Sequence, residues 1–433
     1  MATIQKRNNS YQISVFVANG ENGEKIRKTC TYKPTATTPK KIEKEVNAFA
    51  LEFEKKVKNG DCYSGDKMTF NKVIEQWIES YAKNHLTIGQ VEQYTRELKN
   101  RVCPSIGYMK IANIKPMHCQ KVIDEMIDKG YAPKTVKRTY TEMSAIFSYA
   151  YRLEIIKDNP LSRVKLPPTK KDTELHYFTL EQAKTFLYAL TLKYPIEVQA
   201  HKSHNRITGK KQDISEYTVY KAIPYQLQVF LTLALYGGFR RGELLALTWN
   251  DIDFDTNTVN IRHATGLCSS GQYIKQPKTE SGVRAVTMPS HCMSMLEEWY
   301  KQEKNLANTL GTAWQGKHGK MFNNSFIFIQ ANGKQMNTDT PYQCFKKIIS
   351  NYNSLVEDES KKLPSIRLHD LRHTSATLLL SENVDIETVA KRLGHSNPSI
   401  TLNVYGHALK SKDISASNTL DYLFNSANNS KEE

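Results

Sequence analysis

Apolar residues change period along this chain, and each period predicts a different kind of element. Tyr11, Ile13, Val15 and Val17 alternate with polar residues, the signature of a half-buried strand. Asn19 to Gly23 is a turn cluster, and Ile26 to Tyr32 carries a second alternation that includes Arg27 and Lys28. After Pro39 the period lengthens. Ile42, Val46, Phe49, Ala50, Phe53 and Val57 lie at helical spacing within Lys40 to Lys58. Residues 1–60 therefore predict a small antiparallel sheet backed by one helix.

A polar stretch, Gly60 to Lys67, separates this from a helical region over 68–165. Phe70, Val73, Ile74, Trp77, Ile78 and Tyr81 form one amphipathic stripe, and further helices are predicted at Val91–Arg101, Met117–Lys129 and Pro133–Arg152. The last carries Val136, Tyr140, Met143, Ile146, Phe147 and Ala150 on one face, and it ends before Asn159-Pro160. Lys134, Lys137 and Arg138 on this helix suit either backbone phosphates or a plain solvated face. Pro167 to Asp172 reads as an extended charged linker. Beyond it, Thr179 to Ala183 starts a helix, and 223–236 reads as a buried one. Asn250–Arg262 and Tyr273–Met288 alternate like strands, and helices dominate after Pro289. His201 to Tyr220 is polar, basic and without apolar periodicity, and so is expected to be an inserted surface loop. The tail 411–433 holds one apolar cluster, Leu420, Tyr422, Leu423 and Phe424.

Length and charge narrow the class. At 433 residues the chain exceeds one ordinary core. No run of 18 apolar residues predicts a membrane span, and the first ten residues lack the apolar core of a secretory signal, so a cytoplasmic chain is expected. A net charge of +16, spread along the whole chain, suggests a polyanionic partner, most simply nucleic acid, with a solvated basic surface kept for solubility as the plainer alternative. Seven scattered cysteines form no Cys-x-x-Cys pair and read as reduced thiols.

Candidate chemistry gathers in the last 200 positions. Arg240 lies in Gly-Gly-Phe-Arg-Arg-Gly-Glu, Lys278 in Pro-Lys-Thr-Glu-Ser-Gly, His369 and Arg372 in His-Asp-Leu-Arg-His, His395 in Leu-Gly-His, and Tyr405 ten positions later. A guanidinium stays charged and offers a planar fork of donors that fits the non-bridging oxygens of a phosphodiester. A free phenol has a pKa of about 10 and is only about 0.1% ionised at neutral pH. It needs cationic surroundings or a proton acceptor to become a nucleophile. His369 and His373, at i and i+4, also resemble two zinc ligands, but the Glu of a metalloprotease helix and a third ligand are absent from the motif. His373 is read as structural.

In order and context these six residues resemble the tyrosine recombinases, the family that includes phage and conjugative-transposon integrases. The resemblance implies a multidomain fold: a small N-terminal β-sheet plus helix domain for arm-type DNA (1–60), an all-α core-binding domain (68–165), a mixed α+β, mainly helical catalytic domain (175–410), and a tail (411–433). It implies Tyr405 as nucleophile, Arg240 and Arg372 as phosphate clamps, and His395 as a donor to a phosphate oxygen. His369 would handle a proton or bond the phosphate, and Lys278 would be general acid to the departing 5′ oxygen. The family pattern selects Arg240 over Arg241 and Lys278 over Lys275, and Glu243 would orient Arg240 or cap its helix. No cofactor or metal is implied. The partners implied are double-stranded DNA at core and arm sites and three further copies in a tetramer, with an excision factor and a host DNA-bending protein as further candidates. A type IB topoisomerase-like or resolvase enzyme and a non-enzymatic DNA-binding regulator are the competing readings.

Overall fold

Three antiparallel strands, β1 (Thr3–Arg7), β2 (Ser10–Asn19) and β3 (Lys25–Tyr32), open the chain in the order β1-β2-β3. The computed structural model describes residues 2–19, 25–58, 68–168, 176–204, 211–277, 280–405, 417, 420–421 and 424. It falls into two compact units, Met1–Lys171 and Asp172–Glu433. β1 is exposed at all five positions, so no apolar alternation marks it in the sequence. On β2, Ile13 and Val15 are buried while Val17 is exposed, because the pairing with β3 slips by one residue between Phe16 and Ala18. Such a bulge turns the following side chains to the other face. Helix α1 (Pro39–Lys58) covers the sheet with Val46 and Ala50, and Tyr32 of β3 stacks on Phe49 at 4.1 Å.

The next region is helical. α2 (Phe70–Trp77) runs through a π-helical turn, Ile78–Ala82, into α3 (Lys83–His85). Thr69 caps it, its hydroxyl accepting from the Lys72 amide. α4 (Ile88–Glu97) starts at a Thr87–Gln90 capping box and continues as π-helix through Leu98–Gly107, past the expected end near Arg101. The wider winding carries the chain past Pro104, whose missing N–H interrupts an α-helical ladder. α5 (Pro116–Asp128) and α6 (Pro133–Arg152) complete a core of Phe70, Val73, Trp77, Leu98, Met143 and Phe147, among others. Arg138 does not sit free on the surface of α6. It pairs with the buried Glu97 at 2.7 Å and so ties α6 to α4, whereas Lys134 and Lys137 remain exposed.

The second unit begins with α7 (Leu180–Thr191), capped by Thr179. The expected surface loop at 201–220 is instead largely sheet. β4 (Lys193–Val198) pairs with β7 (Tyr217–Ala222), and between them β5 (His201–His204) pairs with β6 (Lys211–Ile214). β7 is nearly all exposed and β4 buries only Tyr194, so there is no buried face to impose apolar alternation. The available signal was β-propensity, in Ile196, Val198, Tyr217, Thr218 and Val219.

α8 (Tyr225–Gly237) is apolar all round and buried, as its sequence predicts. It leads to α9 (Arg241–Ala246) and then to five strands: β8 (Ile252–Asp253), β9 (Thr258–Ile261), β10 (Ala264–Cys268), β11 (Gly271–Lys275) and β12 (Arg284–Thr287). β12, β9 and β8 form one sheet in that order, and β10 and β11 form a separate hairpin. α10 (Ser290–Leu310) and α11 (Thr340–Leu355) wall the core around Phe230, Phe328 and Phe345. α12 (Asp370–Ser381) packs on α8, and α13 (Ile386–Leu393) packs on α12 and α14 (Pro398–Tyr405). Among the described tail residues, Leu420 and Phe424 are exposed. No helix among the described residues is long and apolar enough to cross a membrane.

Candidate active site

Gly238 sets the path into the first motif. It ends α8 in the left-handed region, at φ 62°, and its carbonyl accepts a 2.8 Å hydrogen bond from Arg372 Nη1 on α12. A Cβ here would meet Leu393 Cδ2 at 2.6 Å. Gly238→Ala should therefore cost about 1–2 kcal/mol from backbone strain alone, read as a lowered urea midpoint; an unchanged midpoint would show that the turn relaxes freely.

The redirected chain places Arg240 at the start of α9, where Glu243 holds it twice. The Arg240 amide donates to Glu243 Oε2 at 3.0 Å and Nη1 to Oε1 at 2.7 Å, while Nη2 reaches the Gly394 carbonyl at 3.3 Å. Glu243 thus caps the helix and orients the guanidinium. Burial by itself raises the pKa of Glu243, but hydrogen bonds and charge from Arg284 and Arg240 outweigh it and hold the carboxyl below its ordinary value. Arg241 points elsewhere, pairing with Asp339 at 3.5 Å and lining a smaller cavity with Tyr342, Arg367 and His369.

His369 immediately precedes α12, and Arg372 lies in its first turn, almost wholly buried. The His369 and His373 rings meet edge to face at 5.3 Å. Gly394, at φ 69°, ends α13 and turns the chain to His395. His395 Nδ1 bonds the hydroxyl of the buried Thr401 at 2.8 Å, tying the histidine to α14. Position 405 ends that helix one turn after 401.

The electrostatics show which groups share a site. His395 is pushed down to about 4, first by burial and then by Arg372, Arg240, Arg284 and His373. His369 keeps a solvent-exposed edge, yet crowding of its ring, His373, Arg372 and Arg240 also push it down to about 4. Arg240, His369, Arg372 and His395, drawn from three separate stretches of chain, therefore act on one another. Of the four, Arg240 and His395 line a cleft of about 600 Å³ together with Glu243, Thr265, Lys275 and Gly394, with Gln276, Pro277 and Gly282 on its wall, whereas His369 lines the smaller cavity. Lys278 itself lies outside the described residues, between wall segments 275–277 and 282; the rival Lys275 ends β11 and lines the cleft.

A pH dependence follows from the two histidines. Unfolded imidazoles protonate near 6.5, so between about 6.5 and 4 the unfolded state binds more protons than the native one. Stability from these groups is complete above that window and is lost as pH falls through it. The double variant His369→Gln/His395→Gln should show a shallower fall in melting temperature from pH 7 to 4.5 than the parent. Parallel slopes would mean that the rings are not shielded.

Arg284 and Thr401 join the site without having been singled out. Arg284 had a signal: it shares the inward face of its strand with Val286 and Met288, an unusual place for a charge. Thr401 had none, since only the fold of α13 and α14 brings it to His395.

Known proteins share this arrangement of regions. Residues 206–412 match the model of the phage integrase family, and residues 70–166 match that of the phage integrase central domain. The ICEBs1 integrase of Bacillus subtilis is 27% identical over 98% of this chain and 100% of its own length. A XerC-like tyrosine recombinase of Caldanaerobacter subterraneus subsp. tengcongensis is 26% identical over 96% of each chain. The solved integrase of transposon Tn1549 with transposon right end DNA superposes with a TM-score of 0.60 at 21% identity, over 82% of this chain and 100% of that one. A λ integrase dimer on a core site reaches 0.51 at 15% identity, over 78% and 95%. With both integrase regions matched in order, relatives aligned nearly end to end and the fold shared, the chain belongs to the tyrosine recombinase family, in its phage and conjugative-transposon integrase branch.

Proposed function

We propose that this protein is a site-specific DNA recombinase that integrates and excises a mobile element through a 3′-phosphotyrosyl intermediate. The observation that carries the chemistry is the mutual electrostatic influence of Arg240, His369, Arg372 and His395, the first and last of which line a cleft, next to the helix that ends at Tyr405. In this reading Arg240 and Arg372 hold the non-bridging oxygens of the scissile phosphate. In the tautomer of neutral His395 that this reading takes, Nδ1 accepts from the Thr401 hydroxyl at 2.8 Å and the Nε2–H donates to a phosphate oxygen. His369, also neutral at pH 7, is available to accept the phenolic proton.

The Tyr405 oxygen attacks phosphorus, the bond to the 5′ oxygen breaks, and Lys278 protonates that leaving oxygen. A 5′-hydroxyl from the partner duplex then attacks the phosphotyrosyl bond and releases Tyr405. The bond energy stays in the covalent intermediate, so no nucleotide hydrolysis is needed. Rate enhancement comes from positioning and from fixed positive charge at the phosphorane-like transition state. Exchange between two duplexes uses four such sites, hence a tetramer on double-stranded DNA. The three-stranded sheet with its basic strands β1 and β3 suits an arm-site module, which favours an integrase over a simple resolvase or a topoisomerase-like enzyme. An excision factor and a host DNA-bending protein are the accessory partners this reading anticipates.

The test is a nicked suicide duplex carrying the joined ends of the element, incubated with the full chain and run on a denaturing gel. A protein–DNA adduct is expected. A protein that binds the duplex and never forms the adduct is a DNA-binding regulator instead.

A further inference from the structure

Arg284 opens β12, opposite Ile261 of β9, with a side chain only 6% exposed. A buried guanidinium needs partners for its donors, and the identity of those partners is informative. Nη2 bonds Glu243 Oε2 at 2.9 Å and Nη1 bonds Oε1 at 3.3 Å, a two-toothed grip on the carboxylate that orients Arg240. Nε bonds the Arg392 carbonyl at 2.7 Å, in the last turn of α13, three residues before His395. Nη1 also reaches the Gly282 carbonyl at 3.3 Å, in the segment that follows Lys278. The guanidinium lies 5.8 Å from the centre of the Phe239 ring, beside Arg240.

Each polar partner thus belongs to a different segment bearing a proposed phosphate-handling residue. Close packing enforces the arrangement: a Cβ on Gly394 would fall 2.9 Å from both Arg284 Nη1 and the Ser281 carbonyl. Arg392 returns the grip, donating to the Thr287 carbonyl at the end of β12 and to the Tyr236 carbonyl on α8. A guanidinium needed only to satisfy a buried carboxylate would require none of the other contacts.

We infer that Arg284 is a positioning residue for strand cleavage: one rigid fork that sets Arg240, the His395 turn and the Gly282 wall of the cleft in register around the scissile phosphate. The inference rests on the recombinase reading above. Lysine at this position keeps the charge opposite Glu243 but lacks the planar fork needed to span three segments. Misplacement by about 1 Å costs about 100-fold in rate, so the effect belongs in the chemical step and not in DNA affinity.

The experiment uses the full chain and the nicked suicide duplex, comparing wild type with Arg284→Lys and Arg284→Gln. Melting temperature, DNA affinity and single-turnover adduct formation are measured for each, at a temperature where all three are folded. Both variants should bind DNA within about threefold of wild type and form adduct about 10- to 100-fold more slowly, with Arg284→Lys melting close to wild type. A second substrate carries a neutral methylphosphonate at the scissile position, which removes the charge that Arg240 balances. The defect should shrink there, because the part of it that arises through Arg240 is lost. Adduct rates within twofold of wild type, or the same defect on both substrates, overturn the inference. If Arg284→Gln does not fold, Arg284→Lys alone decides on the same two criteria. A wild-type chain that forms no adduct overturns the recombinase reading first, and this inference with it.

Discussion

Tyr405→Phe should bind its DNA site as wild type does and form no detectable covalent adduct. In the proposed mechanism, removing one oxygen deletes the only protein atom that bonds to phosphorus, and loss of an enzyme's nucleophile lowers the rate by about 10⁴-fold or more. The substitution leaves in place the buried Thr401 and the Thr401–His395 hydrogen bond that hold α14, so the helix keeps its position. Affinity should change by less than about twofold, since sequence-independent DNA binding is set mainly by neutralised phosphates. Gel shift and denaturing gel on the same nicked duplex separate the two effects. Adduct formation by Tyr405→Phe would move the nucleophile to another residue. Loss of DNA binding would mean that the phenol serves recognition or folding, and the transesterification mechanism would lose its centre.

Periodicity found the elements whose one face is buried and whose other is wet. α1 and α6 are examples, with Val46 and Ala50 or Val136, Met143 and Phe147 turned inward. It failed where burial does not alternate. β1 and β7 are exposed along nearly their whole length, and the stretch 201–220 therefore looked like loop. Slippage at Phe16/Ala18 exposed Val17, which depends on pairing with β3 and not on β2 itself. Within the site, the family's motifs pointed to Arg240, His369, Arg372 and His395, and two of these motifs carry their own local structure: Gly238 and Gly394 in the left-handed region before Arg240 and His395, and Glu243 capping the helix that Arg240 opens. The glutamate's double role was legible from its place three residues after Arg240. Its second arginine was not, since Arg284 is 41 positions away and comes to Glu243 only through the sheet β12-β9-β8. Local chemistry is written locally; the groups that hold it in register come from the tertiary fold.

The two clamp arginines should part company when stability and rate are measured together. Arg240 has a side chain 41% exposed, and its partner Glu243 keeps Arg284 when Arg240 is removed. Arg240→Ala should therefore slow adduct formation about 10²- to 10³-fold while costing no more than about 1 kcal/mol of folding free energy, the scale of a solvent-screened ion pair. Arg372 is 2% exposed and donates to the Gly238 carbonyl between α8 and α9. Arg372→Ala should slow the reaction as much and also destabilise the catalytic unit, by about 1–3 kcal/mol from the orphaned carbonyl alone, with more from the space left beside α8. Urea midpoints and single-turnover rates on one nicked duplex read both quantities. Equal midpoints for the two variants would mean that Arg372 contributes nothing to the α8–α12 contact. A normal rate for either would remove that guanidinium from the phosphate. In the proposed mechanism the asymmetry has a use: the buried arginine belongs to the folded frame before DNA arrives, and the half-exposed one, braced by Glu243 and Arg284, would be the clamp that an incoming phosphate meets.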